Sequence, residues 1–206
     1  ITPERILVKT GIKERRYSDD LTSADMATKS VEKLLEKTGT RADEIDCIIV
    51  GTLTPDYFFP STAVVVIKNI KAVNAFGFDT VSACPSFLYG LEQAQMMILV
   101  GKAKKIVVCG SDRMSKTINA FEHKTGVLFG DAAAAVLVES CSEEELGINS
   151  CSSKVVADDL EDVYFRTPFN SENWSNEKFE LDGQKVYRHG VDLTVQTIKG
   201  FLQKNS

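Results

Sequence analysis

Three short and largely apolar runs constrain the fold of this chain more than any other feature of its sequence. They cover residues 45–53, 75–81 and 105–111. Each run has the length of a strand, and continuous apolar character is typical of strands buried on both faces of a sheet. Stretches of helical length precede or separate the runs, and they predict helices over residues 26–37, 61–71 and 85–100. This alternation predicts an α/β layered fold with a largely parallel sheet.

The second half of the chain carries fewer periodic segments. Residues 132–139 predict a strand of small side chains, residues 147–157 predict a further strand, and residues 186–202 predict a final helix. Residues 158–183 are polar and lack periodicity, so they are predicted as a loop. The chain begins at Ile1 without a methionine and stops in or just after the last predicted helix. We therefore expect residues 1–206 to be one domain that is truncated at both ends.

The composition argues against several classes of partner and cofactor. The chain has 24 Lys and Arg against 29 Asp and Glu, a net charge of −5, so it has no basic surplus to meet the phosphates of nucleic acid. Its apolar runs are far shorter than the ~20 residues of a membrane-spanning helix. Five cysteines without C-x-x-C spacing and only two histidines indicate neither a disulfide framework nor a metal site. We expect a cytoplasmic protein with no membrane contact and no bound metal.

Cys84 is the residue best placed for covalent chemistry. It lies where the second predicted strand ends and a long apolar helix begins, and Pro85 is typical of the first helical position. A thiol there faces unpaired N–H groups and the positive end of the helix dipole, which favours the reactive thiolate. The alternative interpretation is a buried structural cysteine. That alternative suits Cys47 and Cys109 better, because both lie inside predicted strands.

Four segments of the sequence carry a resemblance to a known family. They are Lys9 to Arg16 (KTGIKERR), Asp79 to Tyr89 (DTVSACPSFLY), Leu128 to Ala134 (LFGDAAA) and Leu181 to Tyr187 (LDGQKVY). In this order they resemble the segments R-T-G-I-x-x-R-R, D-x-x-x-A-C-x-G-F-x-Y, F-G-D-G-A-G-A and M-x-G-x-x-V-F of β-ketoacyl-acyl-carrier-protein synthase III. The four matches cover nearly the whole chain, and their combination is specific.

The resemblance implies a thiolase-like layered fold, in which a mostly parallel mixed sheet has helices on both faces. Residues 1–206 would be the amino-terminal half, with the carboxy-terminal half absent. Cys84 would take an acyl group from acyl-CoA and condense it with malonyl-acyl-carrier protein, releasing CO2 and starting fatty acid synthesis without a further cofactor. In the family a histidine and an asparagine of the second half assist decarboxylation. His123 and His189 do not match those positions, so we expect this half alone to be inactive.

Matched positions in the four segments and near them imply further site residues. The substrate-binding candidates are Thr10, Phe129, Gly183, Lys9 and His123. Thr10 and Phe129 would line the acyl and pantetheine channel, and Gly183 would let the pantetheine arm pass close to the backbone. Lys9 and His123 stand where the family carries arginines, the second of which helps to hold CoA. Arg188 matches a basic residue that faces the acidic carrier protein.

A loop of three aromatic residues suggests a homodimer. Tyr57, Phe58 and Phe59 precede Pro60, and exposed aromatic rings of this kind usually mark a contact surface. The resemblance implies that Phe59 reaches into the partner subunit and closes its acyl pocket. It also implies that the strand over residues 75–81 pairs with its counterpart across the two-fold axis. The alternative is that the rings fold back onto their own core.

Several departures from the family pattern keep other functions open. Ala132 and Ala134 replace glycines, Pro85 and Ser86 replace a small residue and a glycine, and Arg5 replaces a tryptophan. The alternatives are a hydroxymethylglutaryl-CoA synthase, a plant-type polyketide synthase, a secondary-metabolite condensing enzyme, or a non-catalytic partner subunit with the same fold. Retention of the cysteine argues against the last, because such subunits lose the nucleophile.

Overall fold

The computed structural model describes residues 2–142, 147–155, 162–167, 169 and 176–205. The helices are α1 (Pro3–Thr10), α2 (Ser23–Thr38), α3 (Thr62–Ile70), α4 (Ser86–Leu99) and α5 (Gly183–Asn205). The strands are β1 (Cys47–Gly51), β2 (Phe76–Thr80), β3 (Lys105–Arg113), β4 (Asp131–Glu139), β5 (Val163–Tyr164) and β6 (Glu180–Leu181). No helix of the described part has the length and apolar character needed to cross a membrane.

The elements divide between two compact units. The sheet unit comprises residues 16–113 and 131–151, and the second unit comprises residues 1–15, 114–130 and 152–206. The sheet unit holds α2 to α4 and β1 to β4. The second unit holds α1, α5 and the two-stranded ribbon of β5 and β6.

The sheet of the first unit has the strand order β2-β1-β3-β4. β1 pairs in parallel with both β2 and β3, so Ile49 lies between Phe78 and Val108. β4 runs antiparallel to β3, with Cys109 opposite Ala135. The sheet is therefore mixed and mostly parallel, as the alternation of strands and helices in the sequence predicts.

Helices cover both faces of this sheet. On one face α2 and α3 pack on the strands, and the buried residues of this cluster are Ala27, Val31, Leu35, Ile45, Ile48, Val50, Ala63, Val66, Val107 and Cys109. On the other face α4 packs on them, and the buried residues there are Cys47, Ile49, Ala94, Ala103, Ile106 and Val108. Every residue of β1 is buried. This double coverage explains why the strand sequences are continuously apolar.

The contacts within the second unit include a helix cap and a contact between two aromatic rings. α1 begins after Thr2, whose hydroxyl accepts a hydrogen bond from the Arg5 amide, and ends at Gly11 in the left-handed conformation. The rings of Phe129 and Phe179 pack edge to face with centroids 5.3 Å apart. α5 confirms the predicted final helix and extends it at both ends.

The structure adds one helix that the sequence did not indicate and corrects two sequence predictions. α1 was not predicted, because eight residues with one buried side chain, Ile6, give no clear periodicity. The strand predicted over residues 147–157 is wrong over the described residues 147–155, and residues 156 and 157 lie outside the described part. There the Ile148 carbonyl accepts a hydrogen bond from the Gln95 side-chain amide. The loop predicted over residues 158–183 contains β5 and β6.

Candidate active site

Cys84 lies between the end of β2 and the start of α4, and it is exposed. This position is at the edge where the parallel strands β1, β2 and β3 have their carboxyl ends, which is where open α/β sheets bind ligands. The alternative of a buried structural cysteine is therefore wrong for this residue. Pro85 precedes the helix by one residue, so its predicted place as the first helical residue is corrected to the N-cap.

The residue before Cys84 has an uncommon backbone conformation. Ala83 has φ 54°, in the left-handed region that side chains with a Cβ rarely adopt. Such a residue costs about 1–2 kcal/mol relative to ordinary backbone. Among the described non-glycine residues only Lys71, at the end of α3, shares a positive φ. Strain of this kind persists only where surrounding contacts hold it.

Ser86 supplies those contacts. Its hydroxyl donates a hydrogen bond to the Ala83 carbonyl at 2.7 Å and accepts one from the Ser82 amide at 2.9 Å. The Ser86 amide also donates to the Ala83 carbonyl, at 3.1 Å. The Thr80 hydroxyl at the end of β2 donates to the Ser86 carbonyl at 3.1 Å. The turn that carries Cys84 is thus bonded to both β2 and α4.

A glycine at the end of β1 lets α4 begin this close to the sheet. A Cβ at Gly51 would lie 2.9 Å from the Ser86 Cβ and 3.1 Å from the Phe87 amide nitrogen. Both distances are shorter than ordinary van der Waals contacts, and the second is to backbone that cannot move away without displacing the helix. Gly51 therefore fixes where the amino terminus of α4, and with it the turn of Cys84, can lie.

Asp79, near the carboxyl end of β2, anchors the start of α3, which follows the aromatic loop. Its carboxylate accepts hydrogen bonds from the amides of Thr62 at 2.6 Å and Ala63 at 2.8 Å, the first two residues of α3. The Ser61 hydroxyl accepts a further bond from the Val64 amide and caps the helix. The loop of Phe59 and the turn of Cys84 consequently both adjoin the carboxyl end of β2.

The aromatic loop is exposed. Phe59 is 85% exposed, Phe58 66% and Tyr57 59%. The alternative that these rings fold back onto the core of their own chain is therefore wrong for the described structure. An exposed apolar cluster of this size is available for a contact with another surface.

A second carboxylate at this edge was not identified from the sequence. Asp112 accepts hydrogen bonds from the Leu53 amide at 2.6 Å and from the hydroxyls of Thr52 and Thr54 at 3.3 and 3.4 Å. Burial raises the pKa of Asp112, and these bonds oppose the rise in part. The residue joins the end of β3 to the loop after β1. Its partners are distant in sequence, so spacing alone could not indicate them.

The strand cysteines have the opposite environment to Cys84. Cys47 and Cys109 are fully buried, which confirms their interpretation as structural residues. Burial raises the pKa of Cys47 to about 12 and the pKa of Cys109 to about 11. Cys141 and Cys151 are exposed but lie outside helices and strands.

The remaining predicted site residues lie in the second unit, whereas Cys84 and Phe59 lie in the sheet unit. On α1, Lys9 is exposed, and the Thr10 hydroxyl donates to the Ile6 carbonyl at 2.8 Å and accepts from the Ile12 amide at 3.1 Å. The Thr10 hydroxyl therefore helps to close the end of the helix. Its role toward a substrate stays a prediction, as does that of Lys9.

The other candidates of the second unit are also surface residues. His123 and Arg188 are exposed, and Phe129 is half-buried against Phe179. A Cβ added at Gly183 would meet no described atom within 4 Å, so packing does not explain a glycine there. The substrate and carrier-protein roles of these four residues stay predictions.

The two alanines that replace family glycines need no unusual backbone. Ala132 and Ala134 lie in β4, opposite Asp112 and Gly110, and neither has a positive φ. An alanine is therefore accommodated at both positions without strain.

Comparisons with known proteins find sequences similar to this chain. The family model for 3-oxoacyl-[acyl-carrier-protein (ACP)] synthase III matches residues 78–158, which include Cys84 and β4. A β-ketoacyl-[acyl-carrier-protein] synthase III of Streptococcus sanguinis is 37% identical over 205 residues, which is 98% of this chain and 63% of that protein. One from Chlorobaculum tepidum is 47% identical over 147 residues, covering 70% of this chain and 45% of the relative.

Solved structures share the fold of this chain. A β-ketoacyl-[acyl-carrier-protein] synthase III from Thermus thermophilus superposes with a TM-score of 0.84 and 31% identity, covering 94% of this chain and 61% of the other. A priming β-ketosynthase from the R1128 polyketide biosynthetic pathway superposes with a TM-score of 0.85 and 25% identity, covering 96% and 60%. The chain thus spans about three fifths of the length of these proteins.

Proposed function

The chain belongs to the β-ketoacyl-acyl-carrier-protein synthase III family, and we propose that Cys84 is the acyl-accepting nucleophile of the whole protein. The thiolate sulfur of Cys84 attacks the carbonyl carbon of an acyl-CoA thioester, the carbon–sulfur bond to CoA breaks, and CoA leaves as a thiolate that takes a proton from solvent. Malonyl-acyl-carrier protein then loses CO2, and the resulting enolate attacks the acyl group on Cys84. The products are 3-oxoacyl-acyl-carrier protein and the free cysteine, ready for another cycle.

The exposure of Cys84 beside the amino terminus of α4 is the observation that carries this proposal. The N-cap residue of α4, Pro85, makes no side-chain hydrogen bond to the helix. The positive end of the helix dipole is therefore available to a negative charge on the adjacent sulfur. A thioester needs such a thiolate as its attacking group, since the neutral thiol is a poor nucleophile. We propose that this chemistry starts fatty acid synthesis and that it takes place in the cytoplasm.

Transfer of label from radioactive acyl-CoA tests the role of Cys84. We expect the full-length protein to become labelled and Cys84→Ser to lose the label. Cys141→Ser is the matched control, because it removes an exposed thiol that follows β4 and is not part of the turn between β2 and α4. We expect the control to keep full labelling. Undiminished labelling of Cys84→Ser would exclude the proposed nucleophile.

A second candidate function is the priming of a secondary-metabolite pathway. The similarity to a priming β-ketosynthase of polyketide biosynthesis favours it, as do Pro85 and Ser86 in place of the usual family residues. The chemistry at Cys84 would be the same, but the carrier protein would differ. A comparison of kcat/KM for malonyl on a fatty-acid carrier protein and on a polyketide carrier protein separates the two functions.

We also propose that the protein is a homodimer whose interface includes residues 54–60. Three exposed rings support a contact surface, because apolar area in water costs roughly 25 cal/mol for each Å². β2 supports it as well: it is an edge strand of the sheet, so its outer backbone groups can pair with a second copy. A two-fold arrangement would bring Phe59 of one subunit to the Cys84 edge of the other.

Light scattering of the full-length protein at micromolar concentration tests the dimer. We expect a dimeric mass for the wild type and a shift toward monomer for Phe59→Asp. Phe121→Asp serves as a control, since Phe121 is 94% exposed but lies outside the loop. A monomeric wild type, or a dimer that Phe59→Asp leaves unchanged, would contradict this interface.

A further inference from the structure

The assignment of Cys84 as nucleophile does not explain the side chain of Ser86. It stands where the resembled segment carries a glycine, so its side chain is an addition at this position. The residue is 4% exposed, and its hydroxyl lies within hydrogen-bond distance of two backbone groups of the preceding turn. A glycine would leave both of those groups without this partner.

The direction of these bonds distinguishes Ser86 from an ordinary helix cap. A capping hydroxyl accepts a hydrogen bond from an amide further along its own helix. The Ser86 hydroxyl instead points back along the chain, donating to the Ala83 carbonyl at 2.7 Å and accepting from the Ser82 amide at 2.9 Å. The contacts therefore organise the turn before Cys84 and not the helix after it.

The two contacted residues determine the orientation of Cys84. Ala83 has φ 54°, and its carbonyl belongs to the peptide group that joins Ala83 to Cys84. Holding that carbonyl fixes the orientation of the peptide plane from which the Cys84 side chain projects. The bond from the Ser82 amide holds the peptide group before Ser82, one residue earlier in the turn. The Thr80 hydroxyl holds Ser86 itself by donating to its carbonyl at 3.1 Å. Hydrogen bonds of Ser86 and Thr80 thus hold the turn at several points between β2 and α4.

We propose that Ser86 is a positioning residue for acyl transfer, whose hydroxyl holds Ala83 in its left-handed conformation and thereby aims the Cys84 sulfur at the thioester. This inference rests on the proposed function of Cys84 and deepens it. Correct alignment of a nucleophile contributes to the rate of the chemical step, whereas contacts with the distant parts of CoA contribute to binding. Loss of the hydroxyl should therefore reduce the rate at saturation more than the affinity for acyl-CoA.

Single-turnover acylation of the full-length protein tests the proposal with Ser86→Ala, which keeps the Cβ and removes the hydroxyl. We expect the maximal acylation rate to fall roughly tenfold, while the acyl-CoA concentration at half-maximal rate changes less than about twofold. Ser82→Ala is the matched control, because only the backbone amide of Ser82 takes part in the network. Its acylation should stay within about twofold of the wild type.

A second measurement tests the role of Ser86 without the acylation reaction. The rate of Cys84 alkylation by iodoacetamide reports the environment of the thiol without acyl-CoA, and we expect at least a roughly threefold change in Ser86→Ala and none in Ser82→Ala. If the wild type is not acylated at all, the proposed function fails, and the alkylation rates alone decide the role of Ser86. Wild-type rates in Ser86→Ala for both reactions would overturn the proposal. Ser86→Gly replaces Ser86→Ala in both arms if the alanine variant does not fold.

Discussion

The sheet unit places three cysteines along neighbouring strands and gives them two different environments. Cys47 and Cys109 lie inside β1 and β3, fully buried between the helices of the two faces. Cys84 lies just beyond the end of β2, exposed in a turn with a strained residue before it. A thiol within a buried strand is kept neutral by desolvation, whereas one beyond the strand end meets solvent and a helix amino terminus.

This difference shows that reactivity in such a sheet depends on position relative to the strand end. Residues inside β1 satisfy their backbone groups with β2 and β3, and their side chains pack. Residues beyond β2 are held by side-chain hydrogen bonds from Thr80 and Ser86, and Asp79 holds the start of α3 beside them. Stability of the sheet and chemistry at its edge can therefore be changed separately.

The largest expected effect is in alkylation of the native protein at about pH 8. A pKa of about 12, against an ordinary 9.0, lowers the thiolate fraction of Cys47 about a thousandfold. We expect iodoacetamide to modify Cys84 at least ~1,000 times faster than Cys47, measured by mass spectrometry of the separated peptides. In urea the two rates should converge. Native rates within about tenfold of each other would remove the contrast between the two environments.

A smaller effect is expected in the pH dependence of stability. The folded pKa of Cys47 is raised, so its contribution to stability is fully present below the unfolded value of 9.0 and is lost as pH rises toward about 12. At about pH 10.5 we expect a loss of roughly 2 kcal/mol from this group. Cys47→Ala lacks the group, so its unfolding free energy should fall less than that of the wild type between about pH 8 and 10.5. Equal losses in the wild type and Cys47→Ala, measured by urea unfolding, would contradict the raised pKa of Cys47.

Replacement of Asp79 tests how much side-chain hydrogen bonds at the end of β2 contribute to stability. Asp79→Ala removes the acceptor of two α3 amides, and we expect a loss of about 1–2 kcal/mol in the free energy of unfolding. Asp79→Asn keeps one acceptor oxygen and should lose less. Urea unfolding of both variants measures the difference. An unchanged stability in Asp79→Ala would mean that packing, and not this carboxylate, holds α3 at the edge.

The smallest expected effect comes from relief of strain at Ala83. A glycine adopts φ 54° without the cost that a Cβ imposes, but it also gains freedom in the unfolded chain. We expect Ala83→Gly to stabilise the protein by at most ~1 kcal/mol in urea unfolding. Ala83→Val should destabilise it, because a β-branched side chain tolerates a positive φ poorly. A destabilised glycine variant would argue that Ala83 is not strained.

The sequence predicted the part of the fold that depends on local pattern. Continuous apolar runs indicated β1, β2 and β3, and the junction of a strand with Pro85 indicated the position of Cys84. α1 escaped prediction because its eight residues bury one side chain, and residues 147–155 lack a strand although their composition favours one. Composition does not say which neighbour satisfies a backbone carbonyl, and at Ile148 it is a side chain of α4.

The polar part of the candidate site was predicted least well. Asp112 bonds to residues about sixty positions earlier, and Asp79 bonds to amides at the start of α3. Such pairs are fixed by the strand order β2-β1-β3, which spacing along the chain does not reveal. Ser86 is close to Cys84 in sequence, but the backward direction of its hydroxyl becomes evident only from the conformation of the turn.

Location of the acyl group on the protein tests the central claim most directly. Trypsin should release residues 72–102 as one peptide, and Cys84 is the only cysteine in it. After incubation of the full-length protein with acyl-CoA, we expect tandem mass spectrometry to find the acyl mass on Cys84 in this peptide and on no other cysteine. An acyl group on Cys47, Cys109, Cys141 or Cys151, with residues 72–102 unmodified, would contradict the assignment of the nucleophile.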